Sequence, residues 1–358
     1  MVIDTALRKF IQDMPKSELH VHLEGTVQPE LLINLAEKND LLKLLPSDKV
    51  EDIQDWFSFR DFPHFVEVIL AVQNVIRTAE DFALIAYENG AIMKEQNIMY
   101  RELTVSPYNH THILGKDINI NDILAGLEEG RNKARADFGV EMRWVFDIAR
   151  NFCFGESGDV YDPKPAEETL KYALVGRDYG VIGLGLGGNE VGCPPGPFKH
   201  AFDQAKECGL YSLPHAGELV GPESIWGSLE MLQADRIGHG VRCIEDPELL
   251  EVLKTKQTPL EVCLSSNQCL HVCDQLEEHP FPKLNSLGLM VTVNTDDPPL
   301  FNTSLVREYE LLASLYGMDR VEIADIARNA FVSCLPEKDL RSKLIGDFDN
   351  WYSSAVYV

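Results

Sequence analysis

Eight short runs of strand-forming residues recur along this chain, and helical patterns separate nearly all of them. The first run, Pro15 to Gly25, sets Leu19, Val21 and Leu23 in alternation with His20, His22 and Glu24, the period of two that a strand imposes. Further strand candidates fall at 99–107, 141–148, 180–187, 210–214, 236–238, 260–265 and 290–295. Apolar residues at helical spacing occupy 29–40, 66–78, 80–96, 120–137, 164–178, 197–208, 222–233, 246–255 and 303–316, and amphipathic segments near 320–333 and 336–344 close the chain. Strands that alternate with helices specify a parallel sheet, and eight such units close into an α/β fold, the (β/α)8 TIM barrel. A hydrophobic fraction of 45% in 358 residues is enough to fill one such barrel, read as a single domain over 1–358. Residues 41–96 read as an inserted helical and loop region, with an aromatic cluster at Trp56, Phe57, Phe59, Phe62 and Phe65. That cluster serves either as core beneath a long loop or as an apolar wall over a ligand. A doubly wound open sheet is the competing architecture.

The polar residues discriminate between the two. Alternation puts the His20 and His22 imidazoles on one face of the first strand, an arrangement that suits a metal ion. Pro214-His215-Ala216-Gly217-Glu218 ends the fifth strand, Arg236-Ile237-Gly238-His239-Gly240 the sixth, and Asn294-Thr295-Asp296-Asp297-Pro298 the eighth. Any one of these alone is more simply a cap or a turn. Four in register at the C-terminal strand ends of a barrel fall where such folds place their active sites. Three imidazoles and a carboxylate suit one Zn²⁺ or, less selectively, another first-row divalent ion, hence a mononuclear metal site at the strand ends. Water activated by such an ion is a nucleophile at neutral pH. Glu218, three residues beyond His215, is placed to exchange protons with a substrate. His239 can hold the water or stabilise its charge, and Asp297 is a further carboxylate for recognition. The reaction class is metal-assisted hydrolysis.

Composition narrows the partners. Thirty-two basic against 57 acidic residues give a formal charge of −25, which disfavours nucleic acid and anionic membranes as partners. The first 13 residues carry no apolar signal core, and no apolar run approaches the roughly 20 residues that cross a bilayer. The eight cysteines follow no disulfide framework, so a reducing, cytoplasmic setting is expected. The pattern carries no signal for an oligomeric state.

Pro15-Lys16-x-Glu18-Leu19-His20-x-His22-Leu23-x-Gly25, His215-Ala216-Gly217-Glu218, Arg236-Ile237-Gly238-His239-Gly240 and Asn294-Thr295-Asp296-Asp297-Pro298 closely resemble the adenosine deaminase family of the amidohydrolase superfamily. The resemblance covers about residues 12–345, with four motifs in the family's order. It implies zinc held by His20, His22, His215 and Asp296, and Glu218 as the acid that protonates N1 of a 6-aminopurine while zinc-activated water attacks C6. It further implies that His239 orients the water and stabilises the oxyanion, that Asp297 bonds purine N7, and that Gly188 lies on the loop contacting N3. Two departures bear on the substrate. Gly185 stands where animal adenosine deaminases usually carry aspartate, and Glu24 stands where they carry an aspartate that meets the ribose 5′-hydroxyl. Relatives acting on free adenine share the glutamate at Glu24 but typically have serine where this chain has Gly188. Gly188 leaves room beside N3, so adenosine or 2′-deoxyadenosine is the expected substrate, with adenine or a modified adenine nucleoside as the alternative.

Rival readings are weaker. Gly183-x-Gly185-x-x-Gly188 matches the dinucleotide fingerprint, but Pro194, Pro195 and Pro197 follow where a helix would have to open. His22-x-Glu24 lacks the Pro-Cys-x-x-Cys half of the cytidine-type zinc deaminases. Cys269 to Cys273 reads as packing, and no nucleophile-elbow glycines surround Ser265 and Ser266. Dinuclear hydrolases resemble the pattern too, but they usually bridge their metals with a lysine carboxylate where this chain has Gly187 and Gly188. A non-catalytic purine-binding barrel would have lost Glu218 or a ligand, and neither is lost. His110 and His112 are expected on a solvated loop.

Overall fold

The computed structural model describes residues 3–58, 62–155 and 160–355. Its eight strands lie in one sheet in chain order: β1 (Lys16–His22), β2 (Ile98–Val105), β3 (Glu141–Ala149), β4 (Val181–Gly187), β5 (Tyr211–Ala216), β6 (Ile237–His239), β7 (Leu260–Val262) and β8 (Val291–Val293). Every neighbouring pair is parallel. The sheet closes where Val21 bridges to Asp296, with His22 N–H donating to the Asp296 carbonyl at 2.9 Å and Asp296 N–H to the His20 carbonyl at 3.1 Å. Sequential strand order without a switch point is the barrel, not the doubly wound sheet.

The strands form where β-branched, aromatic and leucine residues concentrate, and several of the buried charges that interrupt them find partners inside the barrel. Arg101 on β2 meets Glu18 on β1 at 2.5 Å, and Arg236 sits between Glu102 on β2 and Glu261 on β7. Removing one member of such a set strands the others without solvent, so the set acts as a unit.

Several boundaries differ from the sequence expectation. β7 ends at Val262 because Leu264–Cys269 turns into a short helix. The last helix runs Lys338–Ala355, well past residue 344, because Leu344 and Phe348 extend its buried stripe and Phe348 packs on Phe331, Trp351 and Tyr352. Between β1 and β2 lie the helices Pro29–Lys38, Val50–Phe57, Phe62–Val75 and Ala79–Glu95. The aromatic cluster divides: Phe57 is core, Trp56 is half-buried, and Phe65 stacks on Phe301 at the barrel mouth. Phe59 and the Phe62 side chain lie outside the described residues. Among the described residues, no helix is long and apolar enough to cross a membrane.

Candidate active site

The expected residues converge on one cavity of about 360 Å³ at the C-terminal mouth, lined among others by His22, Glu24, Gly188, His215, Glu218, His239, Asp296 and Asp297. His20 lies beneath it. Donor atoms of His20, His215, His239 and Asp296 lie within 4.8 Å of one another, and His22, Asp296 and Asp297 form an adjoining group.

The His20 imidazole is aimed by a neighbour. Nδ1 of His20 donates to Glu261 at 2.8 Å, which leaves Nε2 buried, unpaired and facing the cluster, 3.5 Å from Asp296 Oδ1. His22 Nε2 stands 3.2 Å from the same oxygen and 3.3 Å from His215 Nε2. Tetrahedral zinc with bonds of about 2.0–2.1 Å holds its ligand atoms roughly 3.3 Å apart, so these separations fit the ion. Charge fits as well. Burial opposes protonation of His20 and His22, yet the Asp296 and Glu261 carboxylates raise His20 to about 10, and the Asp297 and Asp296 carboxylates raise His22 to about 9. The cluster therefore demands positive charge, which a cation supplies by displacing protons.

Backbone strain coincides with the chemistry. His239 (φ 61°) and Asp296 (φ 63°) adopt left-handed conformations that cost a non-glycine residue about 1–3 kcal/mol each. Both are braced: Ser266 Oγ donates to Asp296 Oδ2 at 2.7 Å, and the Asn267 amide donates to His239 Nδ1 at 3.2 Å while its oxygen accepts from His279. The network leaves the His239 proton on Nε2, 3.6 Å from Glu218 Oε1, and burial pushes this imidazole down to about 4. His239 is thus a neutral donor.

Glu218 sits on a loop tied down by one carboxylate. Glu190 accepts from the backbone N–H groups of Gly217, Glu218, Leu219 and Val220 at 2.7–3.0 Å and from Ser224 Oγ at 2.6 Å. Burial opposes the Glu190 charge, but Arg150, Ser224 and those amides hold it below the usual carboxylate range. Glu218 itself is buried with Oε1 unpaired; desolvation, then the charges of Asp296 and Glu190, push its carboxyl well above the usual range. That direction favours the protonated carboxyl, which is able to give up a proton.

One expectation is corrected. His110 is not on a solvated loop but fully buried, because the wide turn Asn109–Ile113 carries it inward against the edge of Phe82. Its Nε2 donates to Glu24 at 2.9 Å, and Lys116 donates to its Nδ1 at 2.7 Å. Ser106 N–H also donates to Glu24. His112 is exposed, as expected.

Asp147, Arg150, Glu190, Glu261 and the His110–Lys116 pair were not singled out from sequence. For Asp147 and Glu261 a signal existed: each is a lone acid inside an apolar strand run, Trp144-Val145-Phe146-Asp147-Ile148 and Leu260-Glu261-Val262. Arg150 ties β4 to β5 through the carbonyls of Leu186 (2.8 Å) and His215 (2.5 Å).

A histidine and carboxylate cluster at the C-terminal mouth of a (β/α)8 barrel, with an acid beside it, defines a metal-dependent hydrolase. The chain belongs to the adenosine deaminase family, whose model matches residues 15–351, and it is a hydrolytic deaminase of adenine-type substrates. It is 39% identical over 347 residues to the aminodeoxyfutalosine deaminase of Streptomyces coelicolor, covering 96% of this chain and 86% of that protein. It is 32% identical over 345 residues to the adenine deaminase of Hahella chejuensis, covering 96% and 99%. The crystal structure of adenine deaminase from Arthrobacter aurescens superposes with a TM-score of 0.86 at 30% identity, covering 95% and 99%. These relatives are named for the alternatives, a modified nucleoside and adenine, rather than for adenosine.

Proposed function

We propose that this enzyme deaminates the 6-amino group of a purine nucleoside, with adenosine the minimal substrate and a modified adenine nucleoside such as aminodeoxyfutalosine an extended one. The cavity carries this reading. Beyond the ligand cluster it continues along Phe65, Val66, Ile69, Leu70, Phe152 and Leu270, more apolar wall than a bare purine occupies. No lysine or arginine is among its described lining residues, so a nucleotide phosphate has no counter-ion there.

His20, His22, His215 and Asp296 would hold a single Zn²⁺, which when bound makes water a nucleophile near neutral pH. Glu218 gives its proton to N1, which withdraws electrons from C6 and opens it to attack. The His239 Nε2–H donates to the oxygen that adds at C6, stabilising its developing charge. Burial and the adjacent Asp296 charge push Asp297 up to about 7, so it can donate to N7. Glu24, held by His110 and Ser106, accepts from a sugar hydroxyl. Of the two protons that the water gives up on becoming the C6 carbonyl, one goes to the amine, which leaves as ammonia as the C6–N bond breaks, and the other restores Glu218. Eight free cysteines accord with a cytoplasmic setting.

An ultraviolet deamination assay on zinc-loaded enzyme with adenosine, aminodeoxyfutalosine, adenine and AMP tests the reading. Turnover of the nucleosides with little on adenine or AMP is expected; a preference for adenine would overturn it.

Two substitutions probe the supporting residues. Glu261→Gln keeps an acceptor for His20 but removes the charge, and zinc affinity should fall about 10- to 100-fold in chelator competition, with activity regained in excess zinc. Unchanged affinity would show that Glu261 does not tune the ligand. Gly188 sits at φ 81°, and a Cβ there would overlap Asn151 Oδ1. Gly188→Ser should therefore lower nucleoside turnover at least about tenfold without gaining adenine activity, and adding Asn151→Ala should recover part of it, read as kcat/KM.

A further inference from the structure

Near the C-terminal end of β3, Asp147 projects into the cavity and is 3% exposed, with Oδ1 buried and unpaired. Its place is made by the neighbouring strand. A Cβ on Gly185 would stand 2.7 Å from Asp147 Oδ1, and one on Gly187 would overlap Oδ2. Two side chains absent from β4 thus leave the room that one carboxyl from β3 fills, at the position where the aspartate is missing from Gly185. Leaving a buried carboxyl oxygen without a donor is costly, and neither of the charged groups nearest in effect, His22 and Arg150, donates to Oδ1.

We propose that Asp147 is a specificity-determining residue that accepts a hydrogen bond from a hydroxyl of the substrate's sugar. This rests on the nucleoside reading above and follows from counting donors. In that reading N1 belongs to Glu218, N7 to Asp297 and the departing 6-amino group to the cluster where C6 is attacked, and N3 is an acceptor. A purine substituted at N9 has no ring N–H left, so the donor that satisfies Asp147 comes from the sugar. Free adenine lacks those hydroxyls.

The test compares zinc-loaded wild type, Asp147→Ala and the double variant Asp147→Gly with Gly185→Asp. Gly185 has no positive φ, and once residue 147 is glycine the nearest side-chain atom to its new Cβ is Val145 Cγ1 at 3.3 Å, so the double variant moves the carboxyl from one strand to the next. Asp147→Ala should lower kcat/KM for adenosine about 10- to 100-fold, chiefly through KM, and change that for adenine less than about threefold, with zinc content and melting temperature retained. The double variant should regain about tenfold on adenosine. Calorimetric binding of inosine against hypoxanthine gives the same comparison without turnover. Equal losses on adenosine and adenine, no loss on adenosine, or an unchanged inosine-to-hypoxanthine affinity ratio would each overturn the assignment. A wild type that prefers adenine would instead overturn the nucleoside reading, and the binding ratio in Asp147→Ala would still judge Asp147.

Discussion

Glu218→Gln is expected to keep its zinc and lose about 10²- to 10⁴-fold in kcat, the range a positioned general acid contributes. The substitution preserves shape and the backbone contacts that hold the loop, because Glu190 binds the amide of residue 218 and not its side chain. It removes only the proton that can be passed on. The wild-type Oε1 has no protein partner, so no structural hydrogen bond is lost and the melting temperature should hold. Zinc per chain by elemental analysis and kcat on the preferred substrate read the two halves separately. Near-normal turnover would remove Glu218 from proton transfer; loss of zinc would make it a ligand.

Asp296→Ala should lose both metal and activity. Its carboxylate is the common neighbour of His20 at 3.5 Å and His22 at 3.2 Å, and the acceptor for Ser266. Without it the cluster loses its shared carboxylate, and His20, His22 and His215 face one another without an anion between them. Alanine at φ 63° adds strain, so Asp296→Asn is the control: asparagine tolerates the left-handed region and keeps a Ser266 acceptor but not the charge. Both variants should show zinc well below one per chain after dialysis, and activity below about 10⁻³ of wild type. Full occupancy in Asp296→Asn would contradict the ligand assignment.

The two substitutions also separate what was legible early from what was not. His20, His22, His215, Glu218, His239, Asp296 and Asp297 were all read from local pattern, because residues at strand ends carry their position with them. The groups that brace them were not. Glu190 reads locally as one more loop acid, yet it holds four amides of the Glu218 loop. His110 reads as a solvated histidine, yet it is buried against Glu24 and Lys116.

By itself, the sequence determined the eight-fold alternation, hence the barrel, and which histidines and carboxylates gather at its mouth. Strand and helix periods and strand-end residues are properties of short segments, legible without knowing what lies beside them. Tertiary structure alone decided that Glu261 orients His20, that Gly185 and Gly187 make space for Asp147, and that His110 backs Glu24. Each of those depends on which strands become neighbours and on the absence of water between them. A lone acid in an apolar strand run, as at Asp147 or Glu261, marks burial but not which residue it will face.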